Sequence, residues 1–359
     1  MLDADAFAKL LCDWCLEVRE SQQVLVATTS LAEPVVVSLH RELLERGAWP
    51  VVRMSPPQLG ADFYTYAGAA QLESYAPVEL AEFESVDASI RIGAPANVEA
   101  LAGIDPELIA RAMRARQPIQ AARRARRWCV SLWPTPALAQ QARMSERDYE
   151  AFLGRALFLD QPDPAGAWRE LAARQQSLVE RLRGAREVRI EAEGTDLHLR
   201  VEGRQWINSD GRRNMPSGEV FTGPLENSAH GTIRFTIPSN PGGAQVEDVE
   251  LTFSDGRVTS ARAARGDGYL QSALATDPGA RYLGELGIGT NPGIDRATGS
   301  TLLDEKIAGT VHLALGRSYQ ETGGTNASAL HWDLVCDLRD GGRLSVDGEP
   351  LELARSVHS

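Results

Sequence analysis

The sequence predicts two domains: an N-terminal α/β domain with a mostly parallel sheet and flanking helices over residues 1–184, then a β-rich α+β domain over 185–359. Three observations carry this. A chain of 359 residues is longer than one hydrophobic core usually organises. In its first half, short β-rich runs alternate with helical apolar spacing, which implies parallel strands joined by helices on the sheet faces. In its second half, strictly alternating strands meet at tight turns, the mark of antiparallel sheet.

The elements follow in order. "ADAFAKLLCDWCLEV" has helical spacing and "QVLVATTS" is a strand; "LAEPVVVSLHRELLERG" returns to helix after Pro34 and stops at Gly47. "WPVVRMS", "ASIRIGAP" and "RWCVSLWPT" are further strands, and "DPELIARAMRAR" is a helix with an acidic first turn. Two helices joined by "QPDPAG" span Ser145 to about Arg186. The pattern then changes. In "REVRIEAEGTDLHLRVEGR", Val188, Ile190 and Ala192 share one face, the chain turns at Glu193–Gly194, and Leu197, Leu199 and Val201 share a face on the way back. "TIRFTIP" and the hairpin turning at Asp255–Gly256 extend the antiparallel sheet.

Composition narrows the function classes. The chain carries 37 Lys and Arg against 49 Asp and Glu, a net charge of −12, which speaks against sequence-independent nucleic-acid binding. The basic run Arg114–Arg127 is expected to be a solvated helical face. No apolar run approaches the ~20 residues that span a bilayer, and the acidic N-terminus lacks a signal's basic region. A cytoplasmic protein without a membrane partner is expected. Cys12 and Cys15 form a C-x-x-C without a second pair at zinc-ribbon spacing, so all four cysteines are expected to be free core thiols.

The chemistry gathers in residues 310–334. Val311, Leu313 and Leu315 take one face of a strand, which turns His312 to the other. Trp332, Leu334, Cys336 and Leu338 take the apolar face of a second strand, leaving His331 and Asp333 as neighbours on the opposite face, on the order of 7 Å apart at Cα. If the two strands pair, His312 joins them, and two imidazoles with a carboxylate suit a divalent metal. Two lone carboxylates lie in apolar, glycine-rich company: Glu219 after the Pro-Ser-Gly of "RRNMPSGEVFTGP", and Glu285 in "YLGELGIGTNPGI". A carboxylate there needs a cation or a metal, Lys306 being the alternative partner to an ion. His40, His198 and His358 are expected to be ordinary helical, solvent-facing and tail residues, while His230 is left open.

"NMPSGEVFTGP", "GELGIGTNPGI", "DEKIAGTVHLALGRSY" and "LHWDLVCDL" together resemble the ordered motifs of the thermophilic metallo-aminopeptidases of the aminopeptidase T and aminopeptidase S type. The resemblance spans about residues 205–340; the N-terminal half matches only in its general α/β pattern, and the chain is shorter than usual for these peptidases. It implies a two-domain homodimer with two divalent ions per chain (zinc, cobalt or manganese), which removes N-terminal residues from peptides or small amides. By the same resemblance Glu219, Glu285, His312, His331 and Asp333 match metal-binding positions, and Tyr319 matches a tyrosine at the metal centre. Two such ions can acidify a water, with Glu219 or Glu285 bridging them or taking its proton, and Tyr319 donating a hydrogen bond to the oxyanion. The competing expectation is a mononuclear iron(II) dioxygenase of the dihydroxypyridine type, for which His312, His331 and Asp333 alone suffice. Lys306 stands either beside the metal ligands or on the surface.

Overall fold

The structure is a computed structural model and describes residues 2–354; His358 lies outside the described residues. The chain divides into two compact units, one comprising residues up to Trp168 together with Gly211–Pro216, the other Arg169–Asp210 and Ser217 onward.

The first unit is built on a parallel sheet. β1 (Gln23–Thr29), β2 (Trp49–Ser55), β3 (Ala88–Gly93) and β4 (Arg127–Leu132) take the order β2-β1-β3-β4, and the short β8 (Asn214–Met215) adds to β4. Val24, Leu25 and Val26 are fully buried in β1. Helix Glu33–Glu45 follows and buries Val35, Val36, Leu39 and Leu43, the i, i+4, i+8 stripe that a helix lays on a sheet. Asp105 and Ser145 cap the helices that begin at Pro106 and Glu146 with side-chain hydrogen bonds. Three short helices at Leu59–Tyr66, Ala69–Leu72 and Pro77–Ser85, on which the sequence pattern is silent, complete the β2–β3 connection. The basic run forms helices Pro106–Ala115 and Gln117–Arg124, whose arginines are in part spent: Arg114 pairs with Glu107, Arg116 with Glu79, and Arg123 lies over Trp128. Cys12, Cys15, Cys129 and Cys336 are buried free thiols.

The second unit is antiparallel. Helix Pro164–Leu182 leads into β5 (Glu187–Ala192) and β6 (Thr195–Arg200), the hairpin expected from alternation. β7 (Ile207–Ser209), β9 (Glu219–Thr222) and β10 (His230–Phe235) follow, then the hairpin of β11 (Glu247–Ser254) and β12 (Arg257–Arg265). β13 (Leu283–Gly289), β14 (Thr310–Gly316), β15 (His331–Asp337), β16 (Arg343–Val346) and β17 (Glu349–Leu351) end the chain. They form two sheets, of order β12-β11-β10-β6-β5-β16-β17 and β15-β14-β13-β9-β7. Their apolar faces share one core: Ile190, Leu197, Ile233, Phe253 and Leu344 from the first meet Val220, Leu286, Ile288, Val311, Leu313 and Leu334 from the second. Side chains alternate along a strand, so packing this face fixes the identity of the other. The other face of the β15-β14-β13-β9-β7 sheet presents Glu219, Glu285, His312, His331 and Asp333. No helix among the described residues is long and apolar enough to cross a membrane.

A candidate metal centre on the polar face of one sheet

Register brings the five residues together. Gly287 of β13 faces His312 of β14 on one side and Phe221 of β9 on the other, while Gly289 faces Glu219. Glu285 and Asp333 both stand opposite Ala314, and His331 stands opposite Gly316. The result is a cluster: His312 Nε2 is 3.3 Å from Glu219 Oε2 and 3.5 Å from Glu285 Oε1, and His331 Nε2 is 3.5 Å from Glu285 Oε2 and 3.7 Å from Asp333 Oδ2.

Small residues make this crowding feasible. A Cβ on Gly287 would lie 2.0 Å from His312 Cε1, so the imidazole rests on bare backbone to reach both glutamates. A Cβ on Gly289 would lie 2.0 Å from the carbonyl oxygen of Ile307, so the Glu305–Ile307 segment also lies against bare strand. The apparently featureless glycines of "GELGIG" form the floor of the site. Glu219 is held through its backbone, where Gln175 Nε2 donates to its carbonyl at 2.5 Å, and the preceding turn is fastened by Thr290 N–H to Gly218 O and Asn291 Nδ2 to Ser217 O. His331 donates from Nδ1 to the carbonyl of Arg317 at 2.8 Å, since a carbonyl can only accept. That bond fixes the tautomer and turns the Nε2 lone pair into the cluster, the outer-shell orientation typical of a metal-ligating histidine.

Two further residues join the cluster, Lys306 in one of the two places expected for it. Lys306 is fully buried, which removes the surface alternative: Nζ lies 3.0 Å from Glu219 Oε1 and contacts Glu305 more closely still. Glu305 is a participant the sequence pattern did not single out. One donor atom from each of three residues comes within 4.8 Å of the others in three sets among the described residues: Glu219–Glu285–His312, Glu285–His331–Asp333, and Glu305–His312–Asp333. Only its place in "LLDEK", where a short helix ends at Asp304 and the chain crosses the Gly289 floor, distinguishes Glu305 from a solvated charge.

The electrostatics are those of a site built for cations. Burial lowers the basicity of His312, but the Glu285 and Glu219 carboxylates beside it outweigh that and raise its pKa to about 9. Burial pushes the carboxyls of Asp333 and Glu305 up, with Lys306 acting against it at Glu305. Glu219 Oε2, Asp333 Oδ1 and both ring nitrogens of His312 are buried without a hydrogen-bond partner. Such atoms are costly in a dry interior unless something else satisfies them. An oxygen- and nitrogen-donor set of this kind fits a divalent metal ion. Tyr319 stands at the mouth, 40 % exposed, its ring edge-on to Phe221 and His331 and its hydroxyl 3.5 Å from His331 Nε2. Burial first, then Glu285 and Asp333, raise its pKa, so the phenol stays a donor at neutral pH. Its loop is tied down by Thr325 N–H donating to Glu226 and by Ser328 and Ala329 donating to Asp277. His40, His198 and His230 are exposed and take no part.

The family model described as thermophilic metalloprotease (M29) matches residues 3–349. The chain belongs to that family. It is 31 % identical to aminopeptidase 2 of Geobacillus stearothermophilus over 96 % of this chain and 94 % of that one. Among solved structures it is similar to AmpT from Thermus thermophilus, with a TM-score of 0.84 at 25 % identity, covering 99 % of this chain and 98 % of the other. The M29 assignment makes this chain a metallo-aminopeptidase, with the fold of AmpT. A second structure, 2,5-dihydroxypyridine dioxygenase from Pseudomonas putida, covers 99 % of this chain and 97 % of its own at a TM-score of 0.58 and 17 % identity, a likeness of fold alone.

Proposed function

We propose that this M29 enzyme hydrolyses the N-terminal peptide bond of peptides or small amides with two divalent ions held by Glu219, Glu285, His312, His331 and Asp333. The observation that carries the reading is the overlap of the three sets: Glu285, His312 and Asp333 each belong to two of them, and the two oxygens of Glu285 face different histidines, a donor supply that would hold more than one ion. Ions bound there supply Lewis acidity, lowering the pKa of a water toward about 7 and polarising the scissile carbonyl. The protein's own groups do the rest. Glu219 or Glu285 takes the water's proton, and both sit on strands whose packed reverse faces hold them still. Tyr319, kept protonated, donates a hydrogen bond to the developing oxyanion, a contribution of ~3–4 kcal/mol where such donors have been removed. Glu305 completes the donor set beside His312 and Asp333. We assign the catalytic work to a domain beginning near residue 185 and, on the pattern of the family, place the enzyme in the cytoplasm as a homodimer.

The iron(II) dioxygenase reading needs His312, His331 and Asp333 alone, a trio absent from the close sets among the described residues, and leaves Glu219 and Glu285 buried without a task. Elemental analysis of the purified protein, paired with release of nitroaniline from leucine-p-nitroanilide after adding zinc, cobalt or manganese, tests the proposal. Two ions per chain and amide hydrolysis are expected. One iron per chain, oxygen uptake with dihydroxylated pyridines and no hydrolysis would overturn it.

A further inference from the structure

Lys306 is the one residue of the cluster that, in its ordinary charged form, offers a metal no lone pair. Its side chain is entirely buried, and its ammonium lies between Glu219 and Glu305, which belong to two different ion-holding sets. The backbone fixes it there: Lys306 N–H donates to Leu303 O, and its carbonyl accepts from Asn291 N–H. Two carboxylates flank the ammonium, Glu219 at 3.0 Å and Glu305 in contact, and an ammonium between two carboxylates keeps its charge. Nothing else that stays cationic independently of the donor set stands against the cluster of Glu219, Glu285, Glu305 and Asp333 among the described residues.

We infer that Lys306 is a built-in counter-cation: it holds Glu219 and Glu305 in place when no metal is bound, and it opposes the entry of metal by its own charge. The inference rests on the metal reading above. A lysine that merely filled space would support the fold equally with and without metal. A lysine that stands in for a cation supports chiefly the metal-free protein, because bound ions take over the neutralisation of the same carboxylates. By linkage, whatever destabilises only the metal-free state tightens the binding of metal.

The experiment compares the unaltered chain, Lys306→Met and Lys306→Arg, each stripped with chelator, by thermal unfolding with and without zinc and by zinc titration against a competing chelator. Methionine keeps the apolar stem and removes the charge; arginine keeps the charge. Lys306→Met is expected to unfold several degrees lower than the unaltered chain without zinc, to recover most of that difference with zinc, and to bind the first zinc at least tenfold more tightly. Lys306→Arg is expected to keep the unaltered chain's zinc dependence. Equal lowering of both midpoints, or unchanged or weaker zinc affinity, overturns the inference. Should Lys306→Met give no folded protein even with zinc, Lys306→Gln is put to the same comparison with the same criteria. If zinc neither stabilises nor binds the unaltered chain, the metal reading itself falls and this inference with it, an outcome distinct from a zinc response that Lys306 does not modulate.

Discussion

Topology points to one place in this molecule for a ligand, and unsatisfied hydrogen bonding points to another. In the parallel sheet, strand order reverses between β1 and β3, the position where doubly wound sheets open a crevice at their carboxyl ends. Here the hydroxyls of Thr28 and Thr29, at the end of β1, donate to the carbonyls of Ile92 and Ala94 at 2.7 and 2.6 Å, lacing the switch point shut. The antiparallel sheet offers no such crevice. Yet its polar face leaves four buried donor atoms on Glu219, Asp333 and His312 without partners. Buried polar groups are nearly always satisfied, so the unsatisfied face keeps capacity for a ligand, and there we place the site. Residual hydrogen-bonding capacity separates the two where topology misleads.

Substitutions can break this contrast. Glu285→Gln removes the charge that faces both histidines while keeping the shape; turnover of leucine-p-nitroanilide should fall by at least about a thousandfold with little change in unfolding midpoint, as transition-state charge stabilisation requires. Near-normal turnover would take Glu285 out of the site. Gly287→Ala sharpens the point, because the new methyl group meets the His312 ring at 2.0 Å and the strand must shift or the imidazole must leave. Bound metal, counted per chain by elemental analysis, should drop by roughly half or more, since one ring serves two of the sets. Full occupancy would show that His312 does not need the bare floor. The smallest effect belongs to the switch point. Thr28→Val should cost about 1–2 kcal/mol in denaturant unfolding by leaving the Ile92 carbonyl unpaired, with kcat/KM unchanged. A large loss of activity in that variant would mean that the parallel sheet's end does more than close itself.

Much of this was legible before any coordinates. Period-two alternation turned His312, His331 and Asp333 to one side because Val311, Leu313, Trp332 and Leu334 had to turn to the other, and the packed core of the second unit bears this out. Glu219 and Glu285 stood out as charges in apolar company. Lys306 was legible as an alternative partner for a buried glutamate but not as a buried residue, and Glu305 not at all, because their placing depends on Gly289 admitting the backbone of Ile307, a contact between segments that no local pattern encodes. The helices between Leu59 and Ser85 were missed for a plainer reason. They are short, bury almost nothing, and so impose no apolar period on their sequence.

The last strand of the parallel sheet has a consequence in time. β8 pairs Asn214 with Val130 and Met215 with Ser131, so a strand made late closes the edge of a sheet begun at Gln23. On the ribosome, β4 waits with an open edge while residues 133–213 are synthesised, a delay of roughly 4–16 seconds at about 5–20 residues per second. A fragment ending at Trp168 keeps that open edge, where a second copy can pair with it.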